Sequence, residues 1–367
     1  MQSVSEKVNK KKLKAAGIIA LIFVGALALL GILEGTVALM TRKIDFIHAG
    51  ERWSSGEERY AVVSMYCEEN AGYDDNQIIG WARGIDSKLL ESSVTPPENG
   101  RSWAYCYAAE VSVDVSGPKG NAAAETMAVG GDFAVFHRMD ITYGSFFLND
   151  DSNPMGVVLD RDLAWKVFGA ENVVGMTVTI NEFEFTVVGI CDKRTDRGVY
   201  GYTYGTNPRM YMSYAGYAKV FGESPKVTLF ETALPNSVKS FAKNIFNSVV
   251  SVSADNAVVI ESSDRFSISN RYKNTKNIGY SWIKSNKIEY PYWENEAKVY
   301  DYRCAIIMQF EVVIAAIGIF VLLLAIILFF TSGYSLIVTF KSIFNKISLE
   351  IKKHKKTKNS QKIKKKE

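Results

Sequence analysis

The stretch AAGIIALIFVGALALLGILEGTVALM, residues 15–40, contains a single ionisable side chain, Glu34. About 20 apolar residues in a helix cross the roughly 30 Å of bilayer hydrocarbon, and this run exceeds that length. A second run, AIIMQFEVVIAAIGIFVLLLAIILFF at 305–330, is interrupted only by Gln309 and Glu311. Both read as transmembrane helices, spanning 15–40 and 305–331. The lysines ahead of the first run also suit a cleaved signal peptide, but such a core is only about 7 to 15 residues long, so the reading is an uncleaved anchor.

Charge sets the expected orientation. The flanking segments 1–14 and 332–367 hold sixteen lysines against Glu6, Glu350 and Glu367, a net +13. The stretch between the two runs has 27 basic and 34 acidic residues, a net −7. Lysines resist translocation, so both tails are expected in the cytoplasm and residues 41–304 outside it, at a cell membrane. Beside a spanning helix, such tails are suited to an anionic membrane surface, each nearby Lys contributing roughly 1 kcal/mol; no nucleic acid partner is expected.

Four cysteines, Cys67, Cys106, Cys191 and Cys304, show no CxxC spacing, and the histidines number three, His48, His137 and His354. No zinc constellation is legible, and neither a metal nor another cofactor is expected. Cys67 and Cys106 both fall on the oxidising side, where a disulfide or two separate thiols are alternative readings.

Within 41–304 the patterns alternate between strand and helix periods. Residues 60–66 are a β-rich run. Asp74 and Asp75 offer an N-cap for a helix whose Ile78, Ala82, Ile85 and Leu89 share a face. A long strand follows over 103–115, another over 124–129, and short strands are predicted at 157–159, 176–180, 183–190 and 210–212. Asp160 and Gly169 bracket one helix, and Gly222 ends a second at 214–221. Lys-Val-Phe-Gly at 166–169 and 219–222 reflects shared helix-stop chemistry rather than a repeat. Residues 226–231 form a strand, a helix follows Pro235 and Asn236, and 257–261 is the last strand. From Pro291 no Pro or Gly intervenes until Gly318, so one helix is predicted to run from the outer domain into the membrane. The stretch 36–47 is equally free of breakers and predicts a similar extension of the first span.

Catalytic signatures are missing. There is no GxxxxGK[ST], GxGxxG or GxSxG, and His137 is the only histidine well inside the domain, so the chain is expected not to be an enzyme. Glu34 and Glu311 both fall at the outer membrane interface; headgroup-level solvation and pairing with another subunit are the two readings. Gly31 and Gly35 form a GxxxG that permits close helix approach. Tyr200, Tyr202 and Tyr204, in a tyrosine-rich stretch continuing to Tyr217, suit either a partner surface or a core. Beyond the second span, Phe340, Ile343, Phe344 and Ile347 share one face of an amphipathic helix that either rests on the inner leaflet or docks a cytoplasmic protein.

The run GVVLDRDLAWKVFG at 156–169, then VGMTVTI at 174–180 and FTVVGI at 185–190, resembles the extracytoplasmic core domain of MacB-like and FtsX-like ABC transporter permeases. The segment 140–147, entering Gly-Ser-Phe-Phe, is similar to what precedes those motifs in the family. The resemblance covers 45–300 in layout and 140–190 in motif. It implies an α+β extracytoplasmic domain: a porter-like α/β subdomain with a smaller α/β subdomain inserted at about 146–224, carried on transmembrane helices. It also implies a separate cytoplasmic ATPase whose cycle works the outer domain. Family permeases have four spans, whereas two are legible here, and the inner loop that meets the ATPase is lacking. The expected role is therefore a membrane subunit that pairs with a fuller permease and an ATPase and transmits motion to its outer domain. A stand-alone membrane-anchored binding or scaffold protein is the alternative.

Overall fold

A computed structural model describes residues 2–54, 58–98, 100–147, 154–192, 204–276 and 288–331. Two units emerge: a domain over 38–308, and a helical unit formed, among the described residues, by those up to 37 and those from 309 to 331.

The domain is organised on one sheet. Its strands are β1 Tyr60–Cys67, β2 Ala104–Ser116, β3 Asn121–Gly131, β4 Ile141–Gly144, β5 Gly156–Asp160, β6 Thr177–Ile180, β7 Phe183–Cys191, β8 Arg209–Ser213, β9 Leu229–Pro235 and β10 Ala257–Glu261. They lie in the order β10-β1-β9-β2-β3-β8-β5-β7-β4, with β6 hydrogen-bonded to β7 and, through Ser116 and Thr179, to β2. That last bridge closes β2, β3, β8, β5, β7 and β6 into a ring. The pairs β3/β8 and β5/β7 are parallel and the other pairs antiparallel. Through β3/β8, the segment 146–224 continues the sheet of the chain that surrounds it.

Burial on both faces explains strands such as YAVVSMYC, apolar at almost every position. From β1, Ala61, Val63, Met65 and Cys67 face one layer with α3 (Asp75–Glu91), whose Ile78, Trp81, Ala82, Ile85 and Leu89 are buried. The Asp74 carboxylate caps α3 by accepting from Gln77 N at 3.0 Å. Val62 and Tyr66 face the other layer, with α2 (Ala49–Trp53), α4 (Phe133–Phe136) and the start of α9 (Tyr292–Thr331).

Two strand-cap-helix-glycine units occur in the 146–224 segment. Asp160 caps α5 (Arg161–Phe168), accepting from Leu163 N at 2.7 Å, and Gly169 ends it at φ +74°. Ser213 caps α6 (Tyr214–Phe221), which Gly222 ends at φ +77°. The β6–β7 hairpin turns on Asn181 and Glu182, with φ of +45° and +72°.

Three expectations are corrected. The strand predicted at 226–231 runs Leu229–Pro235, because its register is set by β1, with Tyr66 opposite Leu229 and Tyr60 opposite Pro235. The helix expected directly after Asn236 begins later, as α7 (Phe241–Val249); the Asn236 side chain accepts from Ala242 N, and Val238 is left 68 % exposed. The first span, α1 (Gln2–Thr41), does not continue to 47, because Ile44 and Phe46 turn into the domain core. Arg52 ties that turn down by donating to the carbonyls of Asp45, Val135 and Phe136 at 2.8–2.9 Å. A short helix without sequence signal, α8 (Ile268–Thr275), follows β10.

In the helical unit, α1 and the later part of α9 expose long apolar side chains, among them Leu21, Ile32, Phe320 and Phe330. A Cβ on Gly318 would stand 3.5 Å from Ala26 Cβ and 3.7 Å from the Phe23 ring, so the two helices meet there.

Candidate functional site

The chemistry of the domain collects where α9 begins, against the second face of the sheet. Ser64 on β1, Glu231 on β9 and Cys106 on β2 are register partners across three neighbouring strands, so their side chains form one row on that face. All three are buried. Ser64 Oγ donates to Glu231 Oε1 at 2.8 Å, while Cys106 Sγ approaches Oε2 at 3.7 Å. His137, on the turn after α4, brings Nε2 into hydrogen-bond contact with the same Oε2. Its ring packs on Trp293 of α9 at 3.9 Å between centroids and on Phe133 at 4.7 Å. Burial, and then the Glu231 carboxylate, hold the Cys106 thiol well above its ordinary range. A nucleophilic cysteine needs the opposite shift.

At the next residue of α9, Arg265 donates to both oxygens of Glu294, at 2.7 and 2.8 Å, and it donates to Asp301 Oδ2 at 2.8 and 2.6 Å. Burial alone would lower the Arg265 pKa; Glu294 and Asp301 outweigh it and raise the value well above the ordinary one. Tyr66 donates its hydroxyl to Glu294 Oε2 at 3.2 Å, and burial, then Glu294, push its pKa upward. A charged group inside a protein persists only when paired and hydrogen-bonded, and here the partners come from β1, the segment after β10, and α9.

A third contact involves Tyr292. Its hydroxyl lies 3.3 Å from that of Tyr211, and its ring packs on Tyr204 at 4.8 Å. The Arg209 guanidinium stands 4.8 Å from the Tyr204 ring centroid and 5.1 Å from that of Tyr292, and it pairs with Glu110 and Glu125. Desolvated cation–π contacts of this kind contribute about 1–2 kcal/mol each. The opening turns of α9 thus carry a carboxylate, an indole and a phenol, each held by a different part of the domain.

The sequence-predicted residues are distributed differently. Cys67 and Cys106 are free thiols on opposite faces of the sheet, which corrects the disulfide reading: Cys67 donates to Val227 O, and Cys106 meets Glu231. Tyr204 is 2 % exposed, a core residue rather than part of a partner surface; Tyr200 and Tyr202 lie outside the described residues. Gly31 and Gly35 have nothing within 4 Å of where a Cβ would stand, and it is Gly318 that meets the neighbouring helix. Glu34 is half-buried and Glu311 buried. Phe340, Ile343, Phe344 and Ile347 lie outside the described residues. The expectation that no metal-binding constellation forms is also revised, because Cys106, His137 and Glu231 converge. Sequence reading missed Glu231, Arg265 and Glu294. The available signal was Glu231 itself, a carboxylate in the middle of the buried strand LFETALP.

The sequence profile described as the MacB-like periplasmic core domain matches residues 18–260. A search of curated proteins gives no match. Among solved structures, similarity is found to the extracellular domain of the noncanonic ABC-type transporter YknZ from Gram-positive bacteria, at 13 % identity and TM-score 0.36 over 51 % of this chain and 93 % of that one. The periplasmic region of MacB from Actinobacillus actinomycetemcomitans is similar at 13 % identity and TM-score 0.39, over 58 % and 92 %. A domain of a putative permease protein from Porphyromonas gingivalis follows at 9 % and 0.31, over 55 % and 90 %.

Proposed function

This chain belongs to the MacB-like periplasmic core domain family, and we propose that it is a membrane subunit of an ABC transporter complex that passes motion from a separate cytoplasmic ATPase to its extracytoplasmic domain. The observation that carries this reading is α9. It runs without a break from Tyr292 to Thr331, and its opening turns are core residues of the domain, with Trp293, Glu294 and Tyr292 each fixed by a different set of strands. A displacement of such a helix along or about its axis has no soft joint at its root in which to dissipate, so it is delivered to the sheet.

In this reading both tails lie in the cytoplasm, where their lysines meet anionic lipid and Phe340, Ile343, Phe344 and Ile347 form the inner-leaflet or docking face. The segment 146–224 acts as the inserted subdomain. In this reading the chain works beside a fuller permease, and it catalyses no reaction itself.

Purification of the full chain from native membranes in mild detergent tests the assignment. An ATPase and a permease are expected in stoichiometric yield. Recovery of the chain without either would overturn it in favour of a stand-alone anchored protein. For orientation, a cysteine placed after Lys352 is expected to resist impermeant maleimide added outside intact cells, and labelling there would reverse the topology.

A further inference from the structure

We propose that Cys106, His137 and Glu231 form a binding site for one zinc-class divalent ion. Their donor atoms lie within 4.8 Å of one another, and all three residues are buried. The backbone brings them together: Cys106 and Glu231 are direct partners on antiparallel strands, and His137 descends on them from the turn after α4. The imidazole packs against both Trp293 and Phe133, which restricts the direction in which Nε2 points.

The carboxylate is divided between two tasks. Oε1 is held by Ser64, and Oε2 is the atom that both Nε2 of His137 and Sγ of Cys106 approach. Supporting hydrogen bonds on the far oxygen of a ligating carboxylate are the usual outer shell of a metal centre. An ion bound at about 2.3 Å from sulfur and about 2.0–2.2 Å from nitrogen and oxygen sets its donors roughly 3–4 Å apart; Sγ to Oε2 is 3.7 Å, while Nε2 and Oε2, in direct hydrogen-bond contact, part by about 1 Å to admit it.

Donor chemistry selects the class of ion. Calcium and magnesium take oxygen cages, so one thiol and one imidazole among three donors exclude them. Sulfur, nitrogen and oxygen together are a zinc set, three protein donors leaving a fourth position for water. Charge agrees, since a thiolate and a carboxylate are together neutralised by a divalent cation in a layer otherwise lined by Tyr66, Phe46, Phe133 and Phe136. On binding, the Cys106 thiol releases its proton to solvent, the proton shared by His137 Nε2 and Glu231 Oε2 passes to Nδ1 or to solvent so that both atoms can ligate, and a sulfur–metal bond forms, with no change of oxidation state. The plain alternative is a hydrogen-bonded polar cluster with no ion.

The two are separated with the full chain in detergent on a histidine-free tag. After equilibration with zinc sulfate and gel filtration, elemental analysis is expected to give about one zinc per chain, and cobalt loading to give thiolate-to-cobalt charge-transfer absorption. Cys106→Ser is expected to abolish that absorption, and Glu231→Gln to weaken zinc retention by about 10- to 100-fold or more. A folded wild-type chain that takes up neither metal, or a folded Cys106→Ser chain that keeps the cobalt band, would overturn the proposal. If the variants do not fold, zinc-edge X-ray absorption of the wild type decides. One sulfur with nitrogen and oxygen neighbours supports the site, and zero or several sulfurs refute it.

Discussion

Arg265 and Glu294 are joined by two parallel hydrogen bonds, Nη1 to Oε2 at 2.7 Å and Nη2 to Oε1 at 2.8 Å, with both side chains buried. Such a pair does little for stability relative to a well-packed apolar replacement, yet losing Glu294 leaves the buried guanidinium with Asp301 as its one carboxylate partner. Glu294→Ala is therefore expected to destabilise the domain by up to about 3–5 kcal/mol, and Arg265→Met with Glu294→Leu to recover part of that loss, Asp301 being left without Arg265. Urea unfolding of the full chain in detergent, followed by tryptophan fluorescence, reads both. A double variant as unstable as the single would refute the pairing argument.

The hairpin turn offers a gain. Asn181 and Glu182 both hold positive φ, a conformation in which the second position favours glycine. Glu182→Gly is expected to raise stability by about 0.5–1 kcal/mol, the left-handed strain removed exceeding the extra freedom of the unfolded chain. An unchanged or lowered unfolding midpoint would show that the Glu182 side chain contributes something beyond its backbone.

Burial pushes the Cys67 thiol up to about 12, and burial followed by the Asp160 carboxylate does the same for Cys191. A folded-state value above the unfolded one means that the unfolded chain loses its proton first. Each thiol's own contribution to stability is accordingly level below about pH 9 and falls between about 9 and 12, by roughly 1.4 kcal/mol per unit. Unfolding midpoints across that range check the slope. Native chain at about pH 8 should also resist iodoacetamide at all four cysteines, whereas denatured chain should not; rapid native labelling would contradict the burial.

Gly318 and Ala26 are close enough to cross-link. With a Cβ on Gly318 placed 3.5 Å from Ala26 Cβ, cysteines at both positions are within the roughly 3.5–4.5 Å that a disulfide requires. The Ala26→Cys, Gly318→Cys chain is expected to form an intrachain bridge under mild oxidation, seen as two fragments that separate only on reduction after proteolysis in the domain. The same pairing of Gly318→Cys with Gly35→Cys should fail, since the Gly35 position meets nothing within 4 Å.

What could be read from the sequence was local. Asp74, Asp160, Gly169 and Gly222 mark helix ends because a cap or a left-handed stop involves residues three or four apart, and all four act as expected. The uninterrupted α9 was legible for the same reason, as a stretch without breakers. The site was not. Glu231 meets Ser64 and His137 from 167 and 94 residues away, and Arg265 reaches Glu294 from a segment with no periodic signal. Those encounters are fixed by sheet register and by the return of α9 onto the sheet, neither of which a window of neighbouring residues contains. The end of α1 was misread likewise, since Ile44 and Phe46 leave the helix to fill a distant core.

The single bridge between Ser116 and Thr179 also decides how other chains can reach the domain. A strand whose amides and carbonyls are unpaired along one side is an invitation to a peptide, and the ring keeps such a side next to that bridge, on β2 between Ala109 and Val115 and along β6 away from Thr179. Among the described residues, the outer flanks of β10 and β4, at opposite ends of the strand order, are further open edges for main-chain pairing.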